Sequence, residues 1–560
     1  MQMQLGQFLL RRLHEVGIDH LFGVPGDFNL SFLEQTLQSS SLKFINNCNE
    51  LNAAYAADGY ARSKGIGAFV TTWGVGDLSA LNGLAGAYAE NIPVVHISGL
   101  PPLHAVNERA LLHHTLVDGD YDNIGRCVAE FTVAQTRLTP ANAVIEIDRL
   151  LQCCWLERRP VHLQLPSDIT HLMIEVPTQP LCLMEPTSDP LQLERVLSSV
   201  QAQWRPENNP VFLLDNDAVR FGVIDYIRRI AEKMAIPYAV LPSAKGIMDE
   251  DSALYLGVYA GQASLPTVSH AIHCSACVIG VGLRLTDCNT GLFSQLIDDS
   301  RLIALRRFDV TFNGAQFPGV MLKELFRKLA ENLPASQTRL PPATSPTPIS
   351  TPCPMTFSQA YFWQAVQSFL QPNDVIFGEA GTAHSGASGL RLPIGASYHS
   401  QIIWGSIGFT LPALLGSNIA QPTQRHLLFI GDGSLQLTVQ ELSTLLQQRL
   451  IPIIFLVNNR GYTIERLILG ESSAYNDVNE WEYSKLPSVL DKGNHALSFI
   501  VQDIPSLHKA LRAAQDPHRD KAIFIELRFS PLDAPPQLAN FAKRFADYDY
   551  GNRGPRNLNR

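Results

Sequence analysis

The stretch His426–Ser434, HLLFIGDGS, decides the fold class because its apolar run, His426–Ile430, ends in a glycine-rich polar turn. A short apolar run bounded by turn residues is typical of a strand buried on both faces of a parallel sheet. The next segment, Leu437–Leu450, has the leucine spacing of a helix, with Leu442, Leu445 and Leu446. A second apolar run, Pro452–Val457, predicts another buried strand. Strand, helix and strand in this order predict a parallel sheet covered by helices.

The same alternation recurs nearer the N-terminus and, around Cys277–Leu283, in the middle of the chain. The predicted N-terminal strands are His20–Val24, Phe44–Cys48, Ala68–Thr72 and Pro93–Ser98, and the predicted helices are Leu51–Arg62 and Leu78–Glu90. Two proline-rich segments, Val176–Pro190 and Pro334–Pro354, are typical of extended linkers. We therefore expect an α/β fold of three consecutive domains, residues 1–180, 190–335 and 355–560, each with a mainly parallel sheet covered by helices.

The composition excludes several classes of protein. With 46% hydrophobic and 17% charged residues, the 560-residue chain has cores to fill and is neither disordered nor fibrous. The net charge of -9 and the scattered basic residues argue against nucleic-acid binding. Met1–Leu21 lacks a secretory signal pattern, and no apolar run approaches the roughly 18 residues of a membrane span, so we expect a cytoplasmic protein. Nine irregularly spaced cysteines fit reduced thiols.

Polar residues follow both C-terminal strands, where ligands bind in open parallel sheets. Asp432 comes directly after one strand and Asn459 after the next, so their side chains can meet. Carboxylate, amide and backbone oxygens suit Mg²⁺, and Gly431 and Gly433 let a phosphate approach the backbone, with the Ser434 hydroxyl nearby. Either sequence alone fits an ordinary turn. Both at successive strand ends favour a magnesium diphosphate site.

Three further features are ambiguous from the residues alone. Glu50 precedes an alanine-rich helix, where a carboxylate serves equally well as a helix cap. The pair His113-His114 can move protons near neutral pH, but such pairs are also common at surfaces. Asp27, in a Pro-Gly-Asp sequence, is also an ordinary turn residue.

A resemblance to a known family changes this balance. Gly431-Asp432-Gly433-Ser434 followed by Asn458-Asn459 resembles the thiamine diphosphate binding motif. The rest of the chain resembles the 2-oxo acid decarboxylases, which act on pyruvate, indolepyruvate, phenylpyruvate and branched-chain 2-oxo acids. The matching segments are Gly23–Asp27, Asn49–Ala53, Leu112–Leu116, Trp404–Gly408 and Gly461–Glu465.

The resemblance implies roles for individual residues. Asp432, Asn459 and the carbonyl of Gly461 would hold Mg²⁺. Glu50 would bind the aminopyrimidine of thiamine diphosphate and promote formation of the ylide, with Ile407 supporting the bent cofactor. The remaining cofactor site would comprise Thr72, Thr382, Gly405, Ser406, Gly431, Gly433, Ser434, Tyr462 and Thr463. The ylide would attack the substrate carbonyl, and Asp27, His113, His114 and Glu465 would supply protons as CO₂ and an aldehyde are released.

The family pattern also implies an assembly. The N-terminal domain of one chain would bind the pyrimidine end of the cofactor, and the C-terminal domain of a partner would bind the diphosphate. The central domain would be mainly architectural. We therefore expect a homodimer or homotetramer whose sites are shared between chains.

The substrate pocket departs from the family pattern. His384 and Ser385 stand where many relatives have a bulky aromatic residue, which favours longer aliphatic or aromatic 2-oxo acids over pyruvate. Trp73 can refill some of that space, and Ile464 and Ile468 are the other predicted pocket residues. The segment Pro535–Ala546 can close over the site as a helix, and we expect the tail Tyr548–Arg560 to be mobile.

Two alternatives stay open. A carboligase of the acetohydroxyacid synthase kind would use the same cofactor but attack a second carbonyl, and a flavin-containing preparation would favour it. A non-enzymatic protein that binds thiamine diphosphate or a nucleotide would retain the cofactor motif without turnover. The presence of Asp27 and the histidine pair favours the decarboxylase, because these groups can protonate the intermediate.

Overall fold

A computed structural model describes residues 1–332 and 356–551. Two six-stranded sheets and one seven-stranded sheet follow one another along the chain. Helices cover them, which confirms the predicted α/β fold class. The predicted linker Pro334–Pro354 and the end of the predicted mobile tail, residues 552–560, lie outside the described residues.

The N-terminal sheet is wholly parallel, with strand order β3-β2-β4-β5-β7-β6. The short strands β1 and β8 form a separate antiparallel pair. The strands are β1 Gln2–Gln4, β2 His20–Gly23, β3 Lys43–Asn46, β4 Gly67–Thr72, β5 Val94–Leu100, β6 Ala134–Arg137, β7 Val161–Pro166 and β8 Met173–Glu175. The helices are α1 Leu5–Glu15, α2 Leu30–Leu37, α3 Glu50–Lys64, α4 Val75–Ala89, α5 Leu103–Asn107, α6 Asn123–Ala129 and α7 Ala143–Glu157.

The central sheet has the order β11-β10-β9-β12-β13-β14-β15. It is parallel up to β13 and antiparallel beyond it. Its strands are β9 Val211–Leu214, β10 Tyr238–Val240, β11 Tyr255–Val258, β12 Val278–Val281, β13 Leu302–Leu305, β14 Asp309–Phe312 and β15 Ala315–Pro318. Its helices are α8 Pro190–Gln203, α9 Asp217–Arg220, α10 Ile224–Met234, α11 Pro266–Cys274, α12 Asp287–Thr290 and α13 Leu322–Asn332.

The C-terminal sheet is again wholly parallel, in the order β17-β16-β18-β19-β21-β20. Its strands are β16 Val375–Gly378, β17 Ser397–His399, β18 His426–Gly431, β19 Ile453–Asn458, β20 Ala496–Val501 and β21 Ala522–Arg528. Its helices are α14 Gln359–Phe369, α15 Thr382–Ser388, α16 Thr410–Ala420, α17 Asp432–Thr438, α18 Glu441–Gln447, α19 Thr463–Ile468, α20 Leu486–Leu490, α21 Ile504–Ala514 and α22 Pro536–Tyr550.

One predicted helix is wrong. The single helix predicted over Leu437–Leu450 is two helices, α17 and α18, that meet at Val439–Gln440. The Thr438 hydroxyl donates to the carbonyl of Gly408 at 2.7 Å, and the Glu441 carboxylate accepts from Asn47 of the N-terminal domain at 2.7 Å. These contacts to other segments hold the ends of the two helices in separate positions.

The N- and C-terminal domains share a packed core. Helix α3 lies directly against α16, and a methyl group added at Gly59 of α3 would overlap the carbonyl of Ala413 in α16. Both helices have buried small residues at the contact, which lets their backbones approach closely. This packing fixes the start of α3, where Glu50 lies, relative to the C-terminal sheet.

Candidate active site

The metal end of the predicted site forms where β18 and β19 end. Gly431 pairs with Val457, so Asp432 and Asn459 emerge side by side from neighbouring strands. The buried carboxylate of Asp432 accepts hydrogen bonds from the backbone N–H groups of Gly433, at 2.8 Å, and Gly461, at 3.2 Å. Burial raises the pKa of Asp432 to about 6, so a bound cation would stabilise its charged form.

Asn459 supplies the test of whether this site suits a metal. Its Nδ2 donates to Thr463 Oγ1 at 2.6 Å, but its buried Oδ1 has no hydrogen-bond partner among the described residues. A buried carbonyl oxygen without a partner is costly. Together with the Asp432 carboxylate it provides the hard oxygen ligands that Mg²⁺ prefers, so these residues fit the predicted ion.

The loop after β19 depends on two glycines. Gly461 has φ +141°, and a Cβ there would overlap the carbonyl of Asn476. A Cβ at Gly433 would lie 2.5 Å from the ring of Tyr462. Arg466, which the sequence analysis missed, holds the same loop from the buried side of α19, because its guanidinium donates to the carbonyls of Arg460 and Asn476. The sequence signal that could have indicated this role was the position of Arg466, a charged residue among the apolar residues of a short helix.

The predicted proton-transfer residues of the N-terminal domain form a cluster. His113 Nε2 lies 2.7 Å from Asp27 Oδ2, and the rings of His113 and His114 are 4.6 Å apart. His113 also stacks on Phe28, with ring centroids 5.0 Å apart. His114 has φ +64°, and this turn of the backbone lets both imidazoles face Asp27 although they are adjacent in sequence. The structure thus brings these three predicted residues together.

Glu50, Thr72 and the turn after β4 lie beside this cluster. Glu50 is the first residue of α3, and its carboxylate lies 3.3 Å from where a Cβ of Gly76 would stand. Within residues 1–332 and 356–551, the buried hydroxyl of Thr72 has no hydrogen-bond partner, so it is free to bind a ligand. A Cβ at Gly26, next to Asp27, would lie 2.6 Å from the Thr72 side chain. One turn therefore contacts the segments that carry Asp27 and Glu50.

The other cofactor residues predicted from the C-terminal domain lie in residues 405–407, in α15 and in α17. Ser406 Oγ lies 2.6 Å from the hydroxyl of Tyr55 and accepts from Asn82 Nδ2 at 2.9 Å, so Gly405, Ser406 and Ile407 are held against α3 and α4. Gly405 has φ +70° with open space around it. Thr382 opens α15, and Ser434 lies in the first turn of α17, both largely buried.

The predicted pocket residues have varied surroundings. Trp73 is fully buried and packs against Tyr121, with ring centroids 5.3 Å apart. His384 Nδ1 lies 2.8 Å from the hydroxyl of Tyr398, a partner that the sequence did not reveal. Burial lowers the pKa of His384 to about 4, so the ring is neutral. The predicted pocket therefore has a neutral histidine that Tyr398 orients.

The remaining pocket residues belong to α15 and α19. Ser385 is largely buried in α15. Ile464 lies 3.9 Å from where a Cβ of Gly381 would stand, and Ile468 packs under α22. Glu465, on the same short helix, is exposed. Within the described residues no hydrogen bond or ion pair links Glu465 or Asp432 with the cluster of Asp27, His113 and His114.

A buried charge network at the junction of the three domains was also missed. The guanidinium of Arg62 donates to Asp58 at 2.6 Å and to Glu90 at 3.0 Å. Arg220 of the central domain lies 3.9 Å from Glu90, which also accepts from the backbone of Ile403 at 3.2 Å. Asp58 and Arg62 are four residues apart on α3, but Glu90, Arg220 and Ile403 are far from them in sequence, so no local pattern reveals the network.

The chain is similar over most of its length to thiamine pyrophosphate enzymes and to decarboxylases. Three family models match: the thiamine pyrophosphate enzyme N-terminal TPP binding domain over residues 3–122, the central domain over 205–321 and the C-terminal TPP binding domain over 379–527. The chain is 39% identical over 543 residues to the alpha-keto-acid decarboxylase of Mycolicibacterium paratuberculosis, covering 96% of each chain. It is 38% identical over 556 residues to the pyruvate decarboxylase of Candida glabrata, covering 97% of this chain and 98% of that one.

The homologous domains, the full-length relatives and the two ends of the predicted site lead to one assignment. The chain is a carboxy-lyase, and it belongs to the family of thiamine diphosphate-dependent 2-oxo acid decarboxylases.

Proposed function

We propose that this chain converts a 2-oxo acid to an aldehyde and CO₂ without oxidation, with the ylide of bound thiamine diphosphate as the nucleophile and its ring as the electron sink. The observation that carries the proposal is the cluster of Asp27, His113 and His114, whose ligand-type atoms lie within 4.8 Å of one another. Two imidazoles and a carboxylate can hold and deliver the proton that the aldehyde product needs. A carboligase would instead bond the same carbon to a second carbonyl and leave that carbon unprotonated.

Mg²⁺ is the proposed metal, held by Asp432, Asn459 and the carbonyl of Gly461. The unpaired Oδ1 of Asn459 and the buried carboxylate of Asp432 support this set. The ion would anchor the diphosphate, with Gly433 leaving room for it and the Ser434 hydroxyl beside it. Glu50 would orient the pyrimidine end, and Ile407 would support the bent cofactor.

We further propose a homodimer or homotetramer with sites shared between chains. In one chain, exposed apolar side chains surround the histidine cluster: Leu111, Leu116 and Val117 are 65%, 74% and 65% exposed. Val75 and Leu78 are exposed on the neighbouring helix α4. A second chain that brings Asp432 and Glu465 to the cluster would cover these residues and complete the site.

A larger substrate than pyruvate and a cytoplasmic location complete the proposal. Two features support a pocket that takes longer aliphatic or aromatic 2-oxo acids. Ser385 has a small side chain, and the His384 ring is held against the hydroxyl of Tyr398. The cytoplasm is favoured by the cysteines, because eight of them are free thiols in the described part of the chain. No helix in the described ranges is long and apolar enough to cross a membrane.

Steady-state decarboxylation with thiamine diphosphate and Mg²⁺ tests the proposed reaction. The substrates should run from pyruvate through branched and linear acids of about five to eight carbons to phenylpyruvate and indolepyruvate. We expect the highest kcat/KM for one of the larger acids. A maximum at pyruvate would contradict the proposed preference alone. Turnover of none would contradict the reaction, and a condensed hydroxy-acid product with bound flavin would identify a carboligase.

A further inference from the structure

Four buried polar side chains beneath the turn Thr72–Gly76 have no part in the proposed chemistry. Thr71 is the second-last residue of β4, Asp77 lies in the first turn of α4, His96 is in β5 and His162 is in β7. Each is at most 1% exposed. Burying a carboxylate and two imidazoles together is costly unless hydrogen bonds satisfy them, so the arrangement of these bonds is informative.

The hydrogen bonds form one continuous chain. His162 Nδ1 lies 3.0 Å from His96 Nδ1, and His96 Nε2 lies 2.9 Å from the hydroxyl of Thr71. Thr71 in turn donates to Asp77 Oδ1 at 2.5 Å. The second carboxylate oxygen, Oδ2, accepts from the backbone N–H of Gly74 at 3.0 Å and from the Ser98 hydroxyl at 2.8 Å. The chain therefore runs from the middle of the sheet to the turn.

The direction of the bonds at Thr71 follows from the charge of Asp77. Burial alone raises the pKa of Asp77, but the hydrogen bonds from His96 and Thr71 lower it below its ordinary value, so the carboxylate is ionised and only accepts. Because Thr71 gives its proton to Asp77, its oxygen accepts from His96 Nε2–H, and the same Nε2 atom lies 3.2 Å from Asp77 Oδ1. The Nδ1 atoms of His96 and His162 lie 3.0 Å apart, so one of the two rings donates to the other. Burial lowers the pKa of His162 to about 3, which keeps that ring neutral.

The turn that this chain holds contacts three of the predicted functional segments. A Cβ at Gly74 would overlap the backbone carbonyl of His114, and a Cβ at Gly76 would lie 3.3 Å from the carboxylate of Glu50. Thr72 lies against Gly26, the residue before Asp27. A shift of the turn would therefore move Asp27, Glu50 and His114 relative to one another.

We propose that Thr71, Asp77, His96 and His162 are positioning residues that lock the turn Thr72–Gly76 and thereby align the groups at the pyrimidine end of the site. The proposal rests on the proposed function, because it concerns the same site. None of the four side chains touches the substrate. They act through the Asp77 carboxylate, which accepts from the Gly74 N–H and is held in place by its bonds to the network.

Two variants in which an amide side chain replaces His96 distinguish this positioning role from simple packing. In His96→Gln the side-chain nitrogen reaches the place of Nε2 and can still donate to Thr71, whereas in His96→Asn it reaches only the place of Nδ1. Both variants lose the stacking of His96 on Phe69, whose centroids lie 4.4 Å apart, so that loss is matched. His426→Gln, which alters another buried histidine at the start of β18, is the control for a buried substitution.

Two readouts are needed: kcat at saturating substrate and cofactor, and hydrogen–deuterium exchange of the peptide covering Thr72–Gly76 in the chain with thiamine diphosphate and Mg²⁺. We expect His96→Asn to speed exchange at this peptide and to lower kcat roughly 10- to 100-fold, the cost of misplacing reacting groups by about an ångström. His96→Gln should stay within about threefold of the unmodified chain in kcat, with slow exchange. His426→Gln should leave both readouts unchanged.

The outcomes distinguish this proposal from the proposed function. Equal kcat and equal exchange in His96→Gln and His96→Asn would overturn it, because the donor to Thr71 would then be irrelevant. A lower melting temperature in both variants without a difference between them would also overturn it, showing that His96 only fills space. If the unmodified chain decarboxylates no 2-oxo acid, the proposed reaction fails, but the exchange readout still decides whether the bond to Thr71 holds the turn.

Discussion

At the residue scale, the buried oxygens at the ends of β18 and β19 lead to a prediction about cofactor retention. Asp432→Ala removes the one charged ligand that the predicted metal site contains, so the diphosphate loses its anchor. In the unmodified chain, thiamine diphosphate with Mg²⁺ at about 100 times its Kd should stabilise the fold by about 2.7 kcal/mol. We expect this stabilisation, measured as a rise in melting temperature, to be lost in Asp432→Ala.

The control for this prediction is Asp516→Ala, which removes an exposed carboxylate of the same domain. It should keep the full rise. If Asp432→Ala also kept it, the metal would not lie between Asp432 and Asn459, and the unpaired Oδ1 of Asn459 would need another partner.

The residues of this metal end could be predicted because each directly follows a strand, and strand ends are visible in the sequence. The chain from His162 to Asp77 could not. Its members lie in three strands and one helix, and an alternating apolar strand pattern gives no sign that His96 and His162 face each other. The pairing of His384 with Tyr398 was hidden for the same reason, since it depends on how α15 lies against β17.

At the element scale, the start of β18 leads to a prediction about pH. His426 is 1% exposed, and burial lowers its pKa from 6.5 to about 4. Between these values the unfolded chain binds a proton that the folded chain does not, so stability falls as the pH falls through this window. His426→Gln cannot take up that proton. We expect the variant to avoid about 2 kcal/mol of the loss at about pH 5.

The measurement is the free energy of unfolding in urea at about pH 7.5 and about pH 5, compared between the two chains. The difference between the two pH values should be smaller in His426→Gln. An exposed histidine, His518, provides the control, because its substitution by Gln should leave the pH dependence as it is. An unchanged pH dependence in His426→Gln would mean that the buried ring takes up its proton without cost.

Helix α22 leads to a prediction about catalysis. Ala542 and Ala546 are buried against Ile464 and Ile468 of α19, the helix that also carries Glu465. Deleting residues 536–560 exposes that apolar surface and frees α19 to shift. We expect kcat/KM to fall by roughly tenfold or more, because α19 would no longer place its side chains. Deleting only residues 552–560 leaves α22 intact and should have little effect.

Steady-state kinetics with both truncated chains checks this expectation, together with the melting-temperature rise on adding thiamine diphosphate and Mg²⁺. Because Asp432 and Asn459 make no hydrogen bond to α22 in the described residues, the rise should persist in both. Equal kinetics in the two truncations would show that α22 has no part in placing α19. From the sequence, a helix over Pro535–Ala546 was only one alternative, and its packing against α19 depends on tertiary contacts that no local pattern shows.

At the scale of the whole molecule, the order of strands and helices could be predicted from the sequence, whereas the contacts between domains could not. Alternating apolar runs and helical segments determine a parallel sheet, which is why the fold class is correct. The contact of Asn47 with Glu441, 394 residues away, depends on how α3 and α16 pack. The same contact lies at the start of α18, the second of the two helices that the leucine pattern had suggested were one.

The proposed sharing of sites between chains leads to a prediction about mixtures. Glu50→Gln disables the pyrimidine end of the site in the N-terminal domain, and Asp432→Ala disables the diphosphate end in the C-terminal domain. If each site takes one end from each chain, a mixed dimer has one doubly altered site and one intact site. Random pairing of the two variants makes about half of the dimers mixed, so about a quarter of all sites should be intact.

Each variant alone should be inactive, whereas the two produced together should recover about a quarter of the activity of the unmodified chain. The control is a mixture of Glu50→Gln with the double variant Glu50→Gln/Asp432→Ala, which contains no intact Glu50 and should stay inactive. The measurement is specific activity after co-expression. No recovery would mean that both ends of the site belong to one chain, and the exposed residues Leu111, Leu116 and Val117 would then need a different cover. Recovery would place the partner's Asp432 opposite the histidine cluster, because only an exchange of ends can rebuild a site from these two chains.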